Sequence, residues 1–307
     1  VHGVSFDVAP GETLGIVGES GSGKSVTNLA VMGLVPSPPG RVTQGEVVLE
    51  GVNLLQLSPA EMTRIRGKRV AMVFQDPMTA LNPFMTIGDQ MTEVTRRHLK
   101  HSPAKARQTA IEMLDRVGIA NPEQRLREYP HQFSGGMRQR VMIGMALLCH
   151  PEVLIADEPT TALDVSIQAQ ILDLIRDLAR TEGTAIIFVT HDMGVVATCC
   201  DRVLVMYAGN VVEESPVDDL FARPRHPYSR GLLNSVPRLD LDETRLTAIP
   251  GQPPDLTQLS PGCAFYDRCT FREPRCNGET PSLTTWADGR QAACFVSLDE
   301  IESRTAS

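Results

Sequence analysis

The sequence predicts an α/β fold, on three observations. Residues 12–17 read as a buried strand that runs into the glycine-rich loop Gly18-Glu19-Ser20-Gly21-Ser22-Gly23-Lys24-Ser25. Apolar, β-branched runs at 153–156 and 185–189 have the composition of central parallel strands covered on both faces. Between them, residues 166–180 carry the spacing of an amphipathic helix, which gives the strand–helix–strand rhythm of a parallel sheet.

Taken in order, the first unit is a strand, a phosphate-cradling loop and a helix. The loop fits G-x-x-x-x-G-K-[ST], in which glycines aim successive backbone N–H groups at phosphate oxygens. Lys24 is then the cation at the β/γ-phosphates, Ser25 offers an oxygen to Mg²⁺, and Val26 follows just inside the helix at 25–32, whose positive end faces the phosphates. Pro36-Ser37-Pro38-Pro39-Gly40 breaks the pattern, and strands are expected at 45–49 and 70–74. Gln75-Asp76-Pro77 stands at the end of the second.

Helical spacing at 87–98, 104–117 and 137–149 predicts a helical insertion of about 77–150 that interrupts the sheet, its last helix opened by Ser134-Gly135-Gly136. Asp157 ends the strand at 153–156, where a carboxylate at the carboxyl edge of a parallel sheet can hold Mg²⁺ through water, and Glu158 follows it. Two last strands are expected at 203–207 and 210–212, around Ala208-Gly209. Beyond Tyr228 the periodicity fades, and Pro237, Pro250, Pro253, Pro254, Pro261, Pro274 and Pro281 exclude long helices and central strands.

The 307 residues suffice for one large domain, or for a large and a small one. A formal charge of −8 argues against nucleic acid as the main partner, because phosphate backbones are bound by clustered Lys and Arg. No apolar run reaches the roughly 18 residues of a membrane span, and the first residues lack the charged and apolar regions of a signal peptide. The chain is therefore expected to be cytosolic, or held at a membrane by partners.

The glycine loop, the run Val153 to Asp164 (VLIADEPTTALD), the Ser134-Gly135-Gly136 turn ahead of it and His191 after a strand stand in an order that resembles the ATP-binding cassette (ABC) ATPases. The resemblance implies a P-loop NTPase with a RecA-like mixed sheet core and an inserted helical subdomain. It also implies roles. Glu158 polarises the attacking water, His191 contacts the γ-phosphate and orients that water, and Asp164 bridges two subunits. Gln75 corresponds to the residue that senses Mg²⁺ and touches a transmembrane partner.

Phe133 to Arg140 resembles the signature sequence of that family, with Met137 where glutamine is most common, as in peptide-importer subunits. A serine hydroxyl and glycine amides at the start of a helix form an anion site. In the family, Ser134, Gly135 and Gly136 would bind the γ-phosphate held by the facing subunit, so that two ATP molecules are sandwiched between two domains. Because Lys24, Asp157, Glu158, His191 and Ser134 are all of the functional type, an active ATPase is expected. The family's adenine-stacking aromatic has no counterpart ahead of Phe6, and the chain opens on Val1, so a truncated N-terminus is expected.

Four of the seven cysteines crowd into the last fifth: Cys263, Cys269, Cys276 and Cys294, spaced C-x₅-C-x₆-C-x₁₇-C. There is no C-x₂-C knuckle, but four thiolates suffice for a closed metal site, and an iron–sulfur cluster, zinc and free thiols all remain open. Arg268, Arg272 and Arg275 interleave them and are placed to offset thiolate charge. Cys149, Cys199 and Cys200 lie in apolar helical stretches and are expected as buried thiols.

The stretches HPYSRGLL (226–233), IPGQPPDL (249–256) and Pro261-Gly262-Cys263 resemble the C-terminal region of oligopeptide and dipeptide importer ATPases. This resemblance implies a cassette at 1–230 and an extension at 231–307 whose four cysteines carry a [4Fe–4S] cluster, with Zn²⁺ as the alternative. It implies an importer of di- or oligopeptides at the cytoplasmic face of the inner membrane. The partners would be a second ATPase subunit of related sequence, two transmembrane permease subunits and an extracytoplasmic peptide-binding protein. Import of another solute, such as nickel or glutathione, fits the same architecture. A soluble, non-transport ABC ATPase would instead tend to show two cassettes, long coiled coils or basic extensions.

Overall fold

Buried strands alternate with helices much as the hydrophobic pattern predicts. The computed structural model describes residues 1–76, 80–160, 165–235, 248–259, 261–297 and 301, and for Val165, Ser166 and Leu178 the main chain only. Asp164, with Thr161 to Leu163 before it, and Pro77 and Pro237 lie outside these residues.

Strand β1 (Thr13–Val17) leads to α1 (Lys24–Val31), the short strands β2 (Val48–Leu49) and β3 (Val52–Asn53), α2 (Pro59–Ile65) and β4 (Val70–Val73). Helices α3 (Ile87–His98), α4 (Pro103–Arg116) and α5 (Gly135–Leu147) follow, with a single helical turn at Pro122–Arg125. Then come β5 (Val153–Asp157), α6 (Val165–Glu182), β6 (Ala185–Thr190), α7 (Met193–Cys199), β7 (Arg202–Tyr207) and β8 (Asn210–Pro216). The chain closes with α8 (Val217–Ala222), α9 (Pro227–Asn234), β9 (Thr284–Thr285) and β10 (Gln291–Ala292).

The chain divides into two compact units. The first comprises residues 1–7, 13–27 and 189–307. In it β1 runs parallel to β7, with Leu14 opposite Arg202 and Val17 opposite Val205. β7 turns at Ala208-Gly209, both with positive φ, into antiparallel β8. β8 continues through β10 to β9. The core of this unit joins Val17, Val203 and Val205 of the sheet to Met193 and Val196 of α7, and to the aromatic trio Tyr207, Tyr228 and Phe265. At the β9–β10 turn, the Trp286 indole lies under the Arg225 guanidinium at 4.9 Å, and Arg225 and Arg290 both bind Asp288.

The second unit comprises residues 8–12 and 28–188. Here β4 pairs parallel with β5 from Val70 opposite Val153 to Val73 opposite Ala156, and β5 neighbours β6. Helices α3, α4 and α5 pack through Ile87, Met91, Ala110, Met113, Leu114, Ile143 and Leu147, all buried. Thr86, Ser102 and Ser134 cap the three helices, each accepting a backbone N–H of the first turn.

Some expectations change. The strand expected at 45–49 shortens to β2, because Gly45 turns the chain at φ 105 and Val48 is left 56% exposed, so no apolar face anchors a longer ladder. The strand expected to stop at 212 continues to Pro216, and two further strands follow it, whereas 210–212 was expected to be the last. Cys149 is buried beyond the end of α5, but Cys199 and Cys200 are only half-buried, since they close α7 at its C-terminus.

Candidate functional site

In the first unit the fully buried β1 delivers the chain into the glycine loop, and α1 starts at Lys24. Gly18 has φ 149, and a Cβ there would stand 2.2 Å from the Met206 carbonyl oxygen, so only glycine fits this approach to β7. The ammonium of Lys24 folds back to donate to the carbonyls of Gly18 at 2.7 Å and Glu19 at 3.0 Å. Gly209 N–H donates to the Ser22 carbonyl at 2.9 Å, which ties the loop to the β7–β8 turn. Ser25 and Val26 occupy the first turn of α1, where helix amides lack intrahelical acceptors.

Glu19 is held on both its main chain and its side chain. Its N–H donates to the Tyr228 hydroxyl at 2.7 Å, and its carboxylate meets the Arg268 guanidinium at 2.6 and 2.9 Å. His191 follows the end of β6 and is exposed; Asp192 next to it caps α7 by accepting from the N–H groups of Gly194 and Val195.

In the second unit, Gln75 just past β4 donates its side-chain amide to the Glu158 carboxylate at 3.1 Å. Two residues that the sequence singled out separately are thus brought together. Asp157 ends β5 and is buried, whereas Glu158 takes the left-handed conformation at φ 46, which redirects the chain at the strand end. The Ser134 hydroxyl accepts the Met137 N–H at 3.3 Å, leaving Gly135 and Gly136 as the first helical residues. Behind them Gln139, buried on α5, donates its side-chain amide to the Pro159 carbonyl and ties the signature helix to the acidic strand end. A glutamine in a buried helix position is the signal that would have found it. Asp164 lies outside the described residues.

The four C-terminal cysteines, in the first unit, line one cavity together with His226, Phe265, Tyr266, Arg272 and Phe295. Cys263 N–H donates to the Cys276 carbonyl at 2.8 Å, and a Cβ on Gly262 would lie 2.3 Å from that same oxygen, so the loops close tightly. Burial pushes the thiols of Cys269 and Cys294 up to about 11 and about 12, with the neighbouring cysteines adding to the rise. None of the seven cysteines is in a disulfide, and among the described residues no three His, Cys, Asp or Glu side chains stand as ligands of one metal ion. The interleaved arginines do not act as a set: Arg272 lines the cavity, whereas Arg268 is committed to Glu19 and Arg275 to Glu273 and the Phe295 carbonyl.

A glycine loop closed by a lysine at a helix start, with an acidic strand end and a serine-capped Gly-Gly helix, defines an ATP-binding cassette. The family described as "ABC transporter" matches residues 1–161, and "Oligopeptide/dipeptide transporter, C-terminal region" matches residues 212–276. The chain is 52% identical to the Dipeptide transport ATP-binding protein DppD of Bacillus subtilis (strain 168), over 98% of its own length and 90% of that protein's. It is 57% identical to the Oligopeptide transport ATP-binding protein OppD of the same organism, over 88% and 76%. Among solved structures, an ATP-binding cassette dimer in a post-hydrolysis state bound to ADP and Pi aligns with TM-score 0.61 and 29% identity, over 69% of this chain and 88% of that one. The chain belongs to the ATP-binding proteins of the oligopeptide and dipeptide ABC transporters.

Proposed function

We propose that this chain hydrolyses ATP to drive uptake of di- or oligopeptides by a bacterial ABC importer. The observation that carries this reading is the near-full-length likeness to ATP-binding proteins named for dipeptide and oligopeptide transport, tail included. In it the chain works at the cytoplasmic face of the inner membrane; among the described residues no helix is long and apolar enough to cross a membrane. Its partners are a second, related ATPase subunit, two transmembrane permeases and an extracytoplasmic peptide-binding protein. Residues 1–230 form the cassette and 231–307 the extension.

Residue roles follow from the motifs. Residues 18–25 and Val26 cradle the phosphates, with Lys24 as the cation. Ser25, Gln75 and Asp157 would hold a Mg²⁺ ion, which would neutralise charge on the transferred phosphoryl group. Glu158 orients and deprotonates the attacking water with His191 beside the γ-phosphate, and the Gln75–Glu158 bond of 3.1 Å supports a carboxylate held ready for that work. Ser134, Gly135 and Gly136 meet the γ-phosphate of a facing cassette, and Asp164 bridges the two.

Cys263, Cys269, Cys276 and Cys294 would hold a [4Fe–4S] cluster. Their place around one cavity supports a single group held by all four thiolates, with Zn²⁺ as the alternative. Such a cluster would supply a structural staple there.

The test is uptake of a labelled dipeptide by cells carrying the intact transporter, with Glu158→Gln beside the parent. The variant should bind ATP yet lose hydrolysis by about 10²- to 10⁴-fold and lose uptake with it. Unchanged hydrolysis would refute Glu158 as the base, and uptake of nickel or glutathione in place of peptide would refute the substrate class.

A further inference from the structure

The N–H and the carboxylate of Glu19 are both held by residues far downstream in the same compact unit. Arg268 is 7% exposed and closes the short helical turn Tyr266–Arg268. Its guanidinium forms two parallel bonds with the Glu19 carboxylate, donates through Nε to the Pro250 carbonyl at 2.9 Å, and reaches the Tyr207 hydroxyl at 3.3 Å. Bidentate pairing of this kind fixes orientation as well as charge.

From the other side, Tyr228 is fully buried and its hydroxyl accepts the Glu19 N–H. The ring is set by a chain of bonds that starts at buried Glu213 on β8, whose carboxylate accepts the N–H groups of Arg225 and His226, each at 2.8 Å. The His226 imidazole accepts the Tyr228 N–H at 3.1 Å, and the rings of Tyr207 and Phe265 pack on Tyr228 at 4.5 and 5.4 Å. Glu19 is also the residue whose carbonyl receives the Lys24 ammonium. Holding Glu19 therefore holds the loop cation.

We infer that Arg268 and Tyr228 are positioning residues for the glycine loop, through which the C-terminal region sets the affinity of the loop for a nucleoside triphosphate. The inference rests on the reading that this loop cradles the phosphates. The physical reason is charge. A carboxylate inside a phosphate-binding loop opposes a polyanion, and Arg268 cancels it; without the arginine, Glu19 remains as an unpaired anion beside the phosphates. Tyr228 keeps the Glu19 peptide turned so that the side chain meets Arg268.

The experiment is ATP titration of the full chain, with turnover and metal content measured on the same samples. Arg268→Gln should raise the ATP Kd and KM about tenfold, the scale of one uncompensated charge across several ångströms of protein, and change kcat little. The double variant Arg268→Gln with Glu19→Gln should recover most of that affinity, because the offending anion has gone. A merely structural loss, or a loss of metal from the adjacent cysteine, would not be rescued in this way. Should Arg268→Gln fold poorly, Tyr228→Phe keeps the packed rings and removes only the acceptor for Glu19, and a several-fold weaker ATP affinity is expected. Wild-type affinity in Arg268→Gln or in Tyr228→Phe, or a double variant no better than the single, overturns the inference. Lys24→Ala separates the two levels: loss of ATP binding there with no effect at Arg268 defeats only the positioning role, whereas unchanged binding in Lys24→Ala defeats the phosphate-loop reading and the inference with it.

Discussion

Gly18 meets two demands at once. Its φ of 149 is a glycine conformation, and a Cβ would stand 2.2 Å from a backbone oxygen of β7 and 2.9 Å from the Ser22 hydroxyl. Backbone cannot yield as a flexible side chain can, so Gly18→Ala should cost on the order of 3 kcal/mol and displace the loop. Thermal unfolding and ATP titration check this together; an unchanged midpoint with unchanged affinity would contradict it. The places of Lys24 and Ser25 at a helix start, and of Asp157 and Glu158 at a strand end, were legible in the sequence because their motifs are local. The partners of these residues were not. Gln75 and Glu158 stand 83 positions apart, and Arg268 stands 249 from Glu19, separations over which no local pattern carries information.

At the scale of elements, β8 is where pattern and structure part. Asn-Val-Val reads as a strand and Glu213-Glu214-Ser215 as its polar exit, yet all three of these polar residues are buried. The reason lies in partners brought by the fold: Glu214 pairs with Arg202 on β7, and Glu213 accepts the two N–H groups at the start of α9. Binary patterning assumes that a polar residue faces water, and it fails where a buried carboxylate is fully bonded. Glu213→Ala would strand two backbone donors, at about 1–3 kcal/mol apiece, so roughly 2–6 kcal/mol should be lost. Urea denaturation is the measurement, and a loss below about 1 kcal/mol would mean that these amides find other acceptors. By contrast α3, α4 and α5 lie close to their expected bounds, since each has a serine or threonine cap and α3 and α4 carry an apolar stripe at helical spacing.

At the scale of the whole molecule, the α/β class was legible from the order of the glycine loop, the apolar strands and the helical insertion. The C-terminal region was legible only as a resemblance. Its order comes from thiols, an aromatic cluster and arginine pairs, and its regular strands are two residues long, too short for any period to register. Anaerobic purification should give a visible band near 400 nm and about four irons per chain if the cysteines carry a cubane cluster. One zinc and no colour would make it a zinc site instead, and no metal would leave four thiols. Stripping the metal should then speed amide hydrogen exchange at 263–276 more than at β1 and β7, because small irregular segments depend most on such staples.

The indole under Arg225 has one more use. Trp286 is the chain's single tryptophan, and it sits at the β9–β10 turn, tied through Arg225 and Asp288 to Arg290. Its ultraviolet emission therefore reports the wetting of that one corner, free of overlap from any other indole. A shift of the emission to longer wavelength during a denaturant ramp would time the release of the C-terminal hairpin.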